Sequence, residues 1–280
     1  MTKKTTYYVM EISDESAAEF PDKYDWDSEL SQASHRAYVR KNKEFPPFQP
    51  YLEQEIYDDP ECNKVNDFIF GPVERYCISE RVKAILAEFR LPEHRYYPVT
   101  VFKTKYIIKI LWLRLIKLRF KVKAKYFALY YNSTSISDKL VCIDFKKTRI
   151  TVEMLKKNKE HELDISSESE LRAIFKEQGE ISDRINELTD SNRNPKIGFE
   201  EEYKDLIDRS IYNYRTDKIY FNEKFDHSLD LFELRFSWMT YVSERLKDKL
   251  EKEKVTGLIF SRPGERQYKV KRPNPELIWD

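Results

Sequence analysis

Apolar residues recur along this chain at two periods, and the way the periods alternate predicts an α+β protein. Tyr7–Ile12 reads as a short opening strand. From Ser13 to Pro60 no period holds, and Pro46, Pro47 and Pro50 keep the chain extended or turning, which predicts irregular structure with a little helix. Asp67–Phe70 is strand-like and is broken by Gly71 and Pro72. The clearest helix start follows. Ser79 stands at the N-cap, Glu80 suits the first turn, and Val82, Ile85, Leu86 and Phe89 form one apolar stripe that Pro92 ends.

Tyr96–Phe102 is a further strand. Leu118, Phe120, Val122 and Ala124 alternate with Lys117, Arg119, Lys121 and Lys123, the pattern of a strand with one wet face. Lys105–Leu115 fits a helix equally well. KYFALYY (Lys125–Tyr131) and KLVCIDF (Lys139–Phe145) read as strands on either side of a polar turn. From Thr151 to Arg215 the chain is acidic and helical in pattern. Ser167 and Glu170 have capping-box spacing, with Leu171, Ile174 and Phe175 as a narrow apolar face. Tyr203, Leu206 and Ile207 mark another amphipathic helix, and Gly179 and Thr189–Gly198 read as breaks. Strands return at DKIYFN and LDLFELRF, where Phe232, Leu234 and Phe236 share a face.

One segment is repeated. CISERVKAIL (Cys77–Leu86) and YVSERLKDKL (Tyr241–Leu250) keep Ser, Glu, Arg, Lys and Leu in identical places, 164 positions apart. DFIF precedes the first copy as LFEL precedes the second, and YYPVTVF and Gly257–Phe260 follow them. The shared unit is strand, capped helix, strand. It predicts a mixed sheet with packed helices and two lobes, each carrying one such unit. Residues 1–150 would form the N-terminal α+β lobe, and 151–280 a helical segment plus a second lobe. One continuous domain is the other arrangement this pattern allows.

Composition bounds the function classes. Hydrophobic residues make up 40% of the 280, enough apolar area to offset chain entropy without disulfides or metal. Charges nearly cancel at a net +1, unlike a strongly basic nucleic-acid binder. With 5 glycines the chain has little material for phosphate-cradling loops. Cys62, Cys77 and Cys142 are an odd, scattered set without a CxxC, and the four histidines do not pair at ligand spacing. Reduced thiols in the cytoplasm, no metal and no cofactor are expected. MTKKTTYYVMEISDE lacks the apolar core of a secretory signal. The greasiest stretch, Tyr106–Phe120, carries four basic residues and is shorter than the ~20 residues a spanning helix needs, so no membrane partner is expected.

Candidate chemistry is sparse. Ser79/Lys83 and Ser243/Lys247 have the spacing of a Ser–Lys nucleophilic pair, but an N-cap serine spends its oxygen on the helix, so the motif is read as fold. Glu200–Glu202, Asp25/Asp27 and Asp58/Asp59 are read as solvated acids, and His227 as a surface residue. No catalytic residue is expected. Residues 103–125 carry nine basic side chains and no acid. With Trp112, Phe120, Tyr126 and Tyr130 they suit a nucleic-acid strip, an acidic protein partner, or lysines guarding a strand edge. Tyr24, Asp25, Trp26 and Asp27 form an acidic-aromatic cluster suited to anchor a basic protein partner.

The two SER helix starts, the ending YVSERLK…VTGLIF and the Tyr-rich KYFALYYNSTSISDKLVCIDFKKT resemble the immunity proteins of bacterial polymorphic toxin systems, in particular the family numbered eleven among them. The resemblance covers about Val65–Pro263; the run 103–125 looks like an elaboration and Ser13–Pro60 has no counterpart. It implies an α+β fold, residence in the producing cell and protection by binding a cognate toxin, with no catalytic motif to carry over. The expected function is therefore toxin neutralisation by occlusion. A dispersed polar active site, or nucleic-acid binding through 103–125, is the alternative.

Overall fold

The computed structural model describes residues 5–13, 38, 42, 44–57, 64–69, 76–109, 114–131, 138–155, 160–189, 194–234, 239–265 and 273–279. In chain order the strands are β1 (Tyr7–Ile12), β2 (Glu53–Tyr57), β3 (Phe68–Ile69) and β4 (Cys77–Ser79), then helix α1 (Glu80–Leu86). Next come β5 (His94–Lys109), β6 (Arg114–Lys121), β7 (Tyr126–Tyr131), a 3₁₀ turn at Asp138–Cys142, β8 (Ile150–Met154) and β9 (Glu160–Leu163). Helices α2 (Glu168–Leu188) and α3 (Glu200–Arg209) precede β10 (Ile211–Arg215), β11 (Lys218–Phe221), β12 (Leu231–Leu234) and β13 (Met239–Ser243). The last elements are α4 (Glu244–Lys252), β14 (Leu258–Ser261) and β15 (Glu276–Trp279). Helices and mixed sheets together make the α+β class expected.

Two compact units result, and their boundary is not a single cut at residue 150. The first takes residues 1–138, 226–233 and 239–262; the second takes 139–225, 234–238 and 263–280. Both strand–helix–strand units fall in the first.

In the first unit a sheet of order β12-β13-β1-β14 matches the segment β3-β4-β7-β5 of a larger sheet that continues to β2. The match is register-deep. Tyr7 pairs with Ser243 as Tyr126 pairs with Ser79, and both strands run antiparallel to the strand that leads into the helix. The repeat therefore has four strands' worth of pairing, with YYVM (Tyr7–Met10) standing where YFAL (Tyr126–Leu129) stands in the other copy. In one half that strand follows its helix in the chain; in the other it precedes the other strands and the helix of its half. The duplication is circularly permuted.

Its core follows the same pairing. Ile78, Val82, Leu86 and Leu129 from one half and Val242, Leu246, Leu250 and Met10 from the other form a single buried cluster. Each helix is short and buries only its Ser-proximal apolar stripe, so packing of one helix face on the other half stabilises what propensity alone would not. A second cluster belongs to the larger half. Leu52 and Ile56 of β2 join Val99 and Val101 of β5 and Tyr126, Ala128 and Tyr130 of β7.

Several expectations need correction. Glu53–Tyr57 is a strand inside the stretch read as irregular, because it pairs in parallel with Thr100–Thr104. Lys105–Leu115 is not helical where described: β5 runs on to Lys109 and pairs with Arg114–Lys121. KLVCIDF is not a strand. Asp138–Cys142 turns, with Ile143 N donating to Leu140 O at 3.1 Å, and Ile143 keeps one bridge to Phe221. The stretch from Thr151 to Arg215, read as helical in pattern with breaks at Gly179 and Thr189–Gly198, contributes the sheet β10-β8-β9, where Arg215 on β10 pairs with Glu153 and Glu160. Acid-rich strands hide from a hydrophobic-period reading because cross-strand ion pairs replace the apolar alternation. Gly179 does not break α2, which runs on for 21 residues. Helix α1 stops at Leu86, so Phe89 lies past its C-cap.

Within the second unit, α2 and α3 pack through Ile181, Ile185, Leu188 and Leu206. The parallel pair β11 and β15 stacks Phe221 on Trp279 at 4.2 Å between ring centres.

Candidate functional site

The repeated SER sequence builds the same polar clasp twice. Ser79 Oγ accepts from Val82 N at 3.4 Å, capping α1, and donates to Asp67 Oδ1 at 2.8 Å. Arg81 Nη2 holds the other carboxylate oxygen at 2.7 Å. In the second copy Ser243 Oγ accepts from Leu246 N at 3.2 Å and donates to Asp230 Oδ1 at 2.6 Å, while Arg245 Nη2 grips Asp230 Oδ2. The aspartates lie 12 and 13 residues before their serines, on the segments leading into β3 and β12.

Each aspartate also reaches the loop that follows the other copy's helix. Asp67 Oδ2 accepts from Thr256 N at 3.1 Å, beyond α4. Asp230 Oδ2 accepts from Arg90 N at 2.9 Å, beyond α1, and Asp230 N donates to Arg90 O at 2.8 Å. Reciprocal contacts of this kind are what an isologous two-fold interface produces, here inside one chain. Burial pushes the Asp67 carboxyl up, and hydrogen bonds from Thr256, Ser79 and Arg81 outweigh it, so the group ends below the ordinary carboxylate value. Burial and the nearby Asp230 and Asp226 charges raise the Tyr7 phenol; burial, Cys77 and Asp67 raise that of Tyr126. Both hydroxyls donate to backbone carbonyls, Tyr7 to Leu229 O and Tyr126 to Asn66 O, each at 2.9 Å.

This geometry decides the Ser–Lys question. Each serine hydroxyl has its proton on an aspartate and a lone pair on the helix. Lys83 Nζ sits 4.1 Å from the centre of the Phe127 ring, and Lys247 Nζ lies 2.7 Å from Glu251 Oε2 and 4.9 Å from the Tyr8 ring centre. The Lys247 amine is raised, first by its bond to Glu251, the opposite of what a catalytic base at neutral pH requires. Both pairs belong to the fold.

The other sequence candidates scatter. Tyr24, Asp25, Trp26 and Asp27, like Asp58, Asp59 and Cys62, lie outside the described residues. Glu200, Glu201 and Glu202 occupy the exposed first turn of α3, where they favour the helix dipole, and Glu202 pairs with Arg184 at 2.7 Å. His227 is exposed, and its carbonyl accepts from Thr5 Oγ1 at 2.9 Å. Among the described residues no His, Cys, Asp or Glu side chains gather as metal ligands, and no helix is long and apolar enough to cross a membrane.

The basic run becomes a two-stranded ribbon. Phe102–Lys109 pair residue by residue with Arg114–Lys121, and among the described residues β6 has no second neighbour. Arg119 lies over the Phe102 ring, 3.4 Å from its centre, and binds Glu53 at 2.8 Å; Lys125 reaches Glu80 at 3.0 Å. Lys121 and Lys123 are exposed, as is Phe120.

A hollow of about 260 Å³ in the second unit lies beside the start of α2, lined among others by Leu140, Ile143, Asp144, Ser167 and Asn222. Its polar groups are already engaged: Ser167 Oγ accepts from Glu170 N, Asp144 Oδ1 from Lys146 N, and Asn222 Nδ2 donates to Val141 O.

Sequence reasoning missed Asp67 and Asp230, the acids that close the clasps, because they stand 12 and 13 residues before their serines and so fall out of step at the fixed offset of the repeat. It also missed the equivalence of Tyr7–Met10 with Tyr126–Leu129, because a search at fixed offset cannot see a permuted strand. No protein-family model and no curated protein matches this chain.

Proposed function

We propose that this is an immunity protein that binds a cognate bacterial toxin and neutralises it by occlusion, inside the producing cell. The observation that supports the reading most is the paired clasp. The serines, lysines and arginines that look most chemical in the sequence, and on which the resemblance to immunity proteins rests, are occupied in capping the helices, in the clasps and in an ion pair along α4, while the clasp aspartates join the two halves. The test is co-purification with the toxin encoded beside this protein, in a catalytically disabled form, together with protection of cells expressing the active toxin. A stoichiometric complex with protection is expected. Absence of both sinks the reading.

A second reading, nucleic-acid binding, draws on the ribbon. A two-stranded β-ribbon fits the major groove of B-DNA, and exposed Lys121 and Lys123 continue the acid-free run. Against it, Arg119 and Lys125 are held by Glu53 and Glu80. Retention on duplex DNA that falls steeply with salt would support it; flat, weak retention would dismiss it.

A further inference from the structure

The connection between α2 and α3 is built to hold an apolar side chain out in solvent. Lys196 N donates to Leu188 O at 2.7 Å and Lys196 Nζ to Glu187 O at 2.6 Å, so one residue satisfies two carbonyls of the last turn of α2. Pro195 bridges to Thr189. Phe199 N donates to Lys196 O at 3.1 Å, closing a four-residue turn whose third residue, Gly198, has φ +91, the sign a type II turn demands. Gly198 N donates to Glu200 Oε2 at 3.0 Å, and Tyr203 N to Phe199 O at 2.9 Å starts α3.

On this fixed backbone Ile197 takes the second turn position and is 95% exposed, with Phe199 beside it at 42%. A β-branched apolar residue does nothing for a type II turn, where proline and polar residues serve better. It gains nothing from folding either, since it packs on almost nothing. The surroundings are acidic: Glu187 on α2 and Glu200, Glu201 and Glu202 on α3 are all exposed. Arg184 pairs with Glu187 and Glu202, and Lys196 Nζ donates to the Glu187 carbonyl.

We infer that the Ile197–Phe199 turn is the anchor of a protein interface, and that its occupant is a basic protein with an apolar pocket rimmed by Lys or Arg. The ordering cost of the anchor is already met by the turn, so burying it contributes directly to affinity. The carboxylate ring speeds encounter with a cationic rim and disfavours acidic partners. This rests on the proposed function, naming where and with what chemistry the toxin is held.

The experiment measures binding of full-length wild type, Ile197→Ser and the pair Glu200→Gln/Glu201→Gln to the disabled toxin, across salt concentrations. Ile197→Ser is expected to weaken binding roughly 10- to 100-fold, mostly through faster dissociation, with the thermal midpoint unchanged. The glutamine pair is expected to slow association and flatten its salt dependence. A wild-type complex that Ile197→Ser binds equally tightly overturns the anchor and leaves the immunity reading standing. No wild-type complex overturns both. Concentration-dependent self-association of the free protein that Ile197→Ser abolishes makes the occupant a second copy, and overturns the assignment to a basic toxin.

Discussion

Tyr76 and Thr240 stand 164 positions apart, the period of the internal duplication, and their hydroxyls are hydrogen-bonded to each other in the buried interior of the first unit. Equivalent positions touching each other mark the axis of a two-fold arrangement. Thr240 Oγ1 also donates to Glu233 Oε1 at 2.8 Å, so the Tyr76 hydroxyl is the donor at the axis.

A double-mutant cycle at this contact should show coupling. Tyr76→Phe is expected to cost about 0.5–1.5 kcal/mol, and Thr240→Val about 1–3 kcal/mol because it removes the bonds to both Tyr76 and Glu233. The double variant should cost clearly less than their sum in urea denaturation. Additivity within about 0.3 kcal/mol would mean that the two hydroxyls do not interact.

The two clasps should differ in weight, and the Asp67 clasp should respond to acid. Asp230 is 3% exposed and holds Ser243, Arg245 and Arg90 N, so Asp230→Ala is expected to destabilise by about 2–4 kcal/mol. Asp67→Ala should cost less, since its carboxylate is more accessible. Asp67 has a folded value below its unfolded one, so its contribution is present above the unfolded value, roughly pH 3.9, and is lost as pH falls through the lowered folded value. Asp67→Asn should therefore show a shallower loss of stability below about pH 4 than wild type. Identical acid profiles would argue that the carboxylate is not held as described.

Alkaline titration tests the tyrosines. Burial pushes the Tyr96 phenol up to about 12, and Tyr7 and Tyr126 are raised as well. Stability is expected to hold up to the unfolded tyrosine value, roughly pH 10, and to fall as pH rises towards the folded values. The Tyr96 hydroxyl is buried without a hydrogen-bond partner among the described residues, so Tyr96→Phe should raise stability by about 1 kcal/mol at neutral pH. A loss of stability would show that the hydroxyl is bonded in solution.

Glycines at two sites should respond in opposite senses. At Gly257, φ is +88 and an added Cβ would lie 2.3 Å from Phe68 O, against β3, so Gly257→Ala is expected to cost about 2 kcal/mol or more. At Gly179, inside α2, nothing lies within 4 Å, so Gly179→Ala should gain about 0.5–1 kcal/mol. Thermal melts of the two variants check both signs.

Local rules made part of this protein legible. Ser79 and Ser243 could be placed as N-caps because a cap, a first-turn glutamate and an apolar stripe lie within eight residues of each other. The same logic located Ser167 before α2, and β1 showed through its short apolar run. Gly179 misled, since good helix formers on both sides carry the helix past one costly residue. Glu53–Tyr57 and Glu160–Leu163 were invisible because a strand's existence there depends on its partner, β5 or β8, and not on its own residues.

The sequence by itself determined the repeat unit, the caps and the α+β class, because each depends on interactions spanning a few residues. Only the tertiary structure decided that the two copies of the repeat pack together within the first unit through Asp67, Asp230, Tyr76 and Thr240, that β1 substitutes for β7 in the second copy, and that Ile197 is left outside a core. Those outcomes are set by pairings across 140 or more residues and by which faces remain once the pairs have formed, and neither leaves a period in the chain.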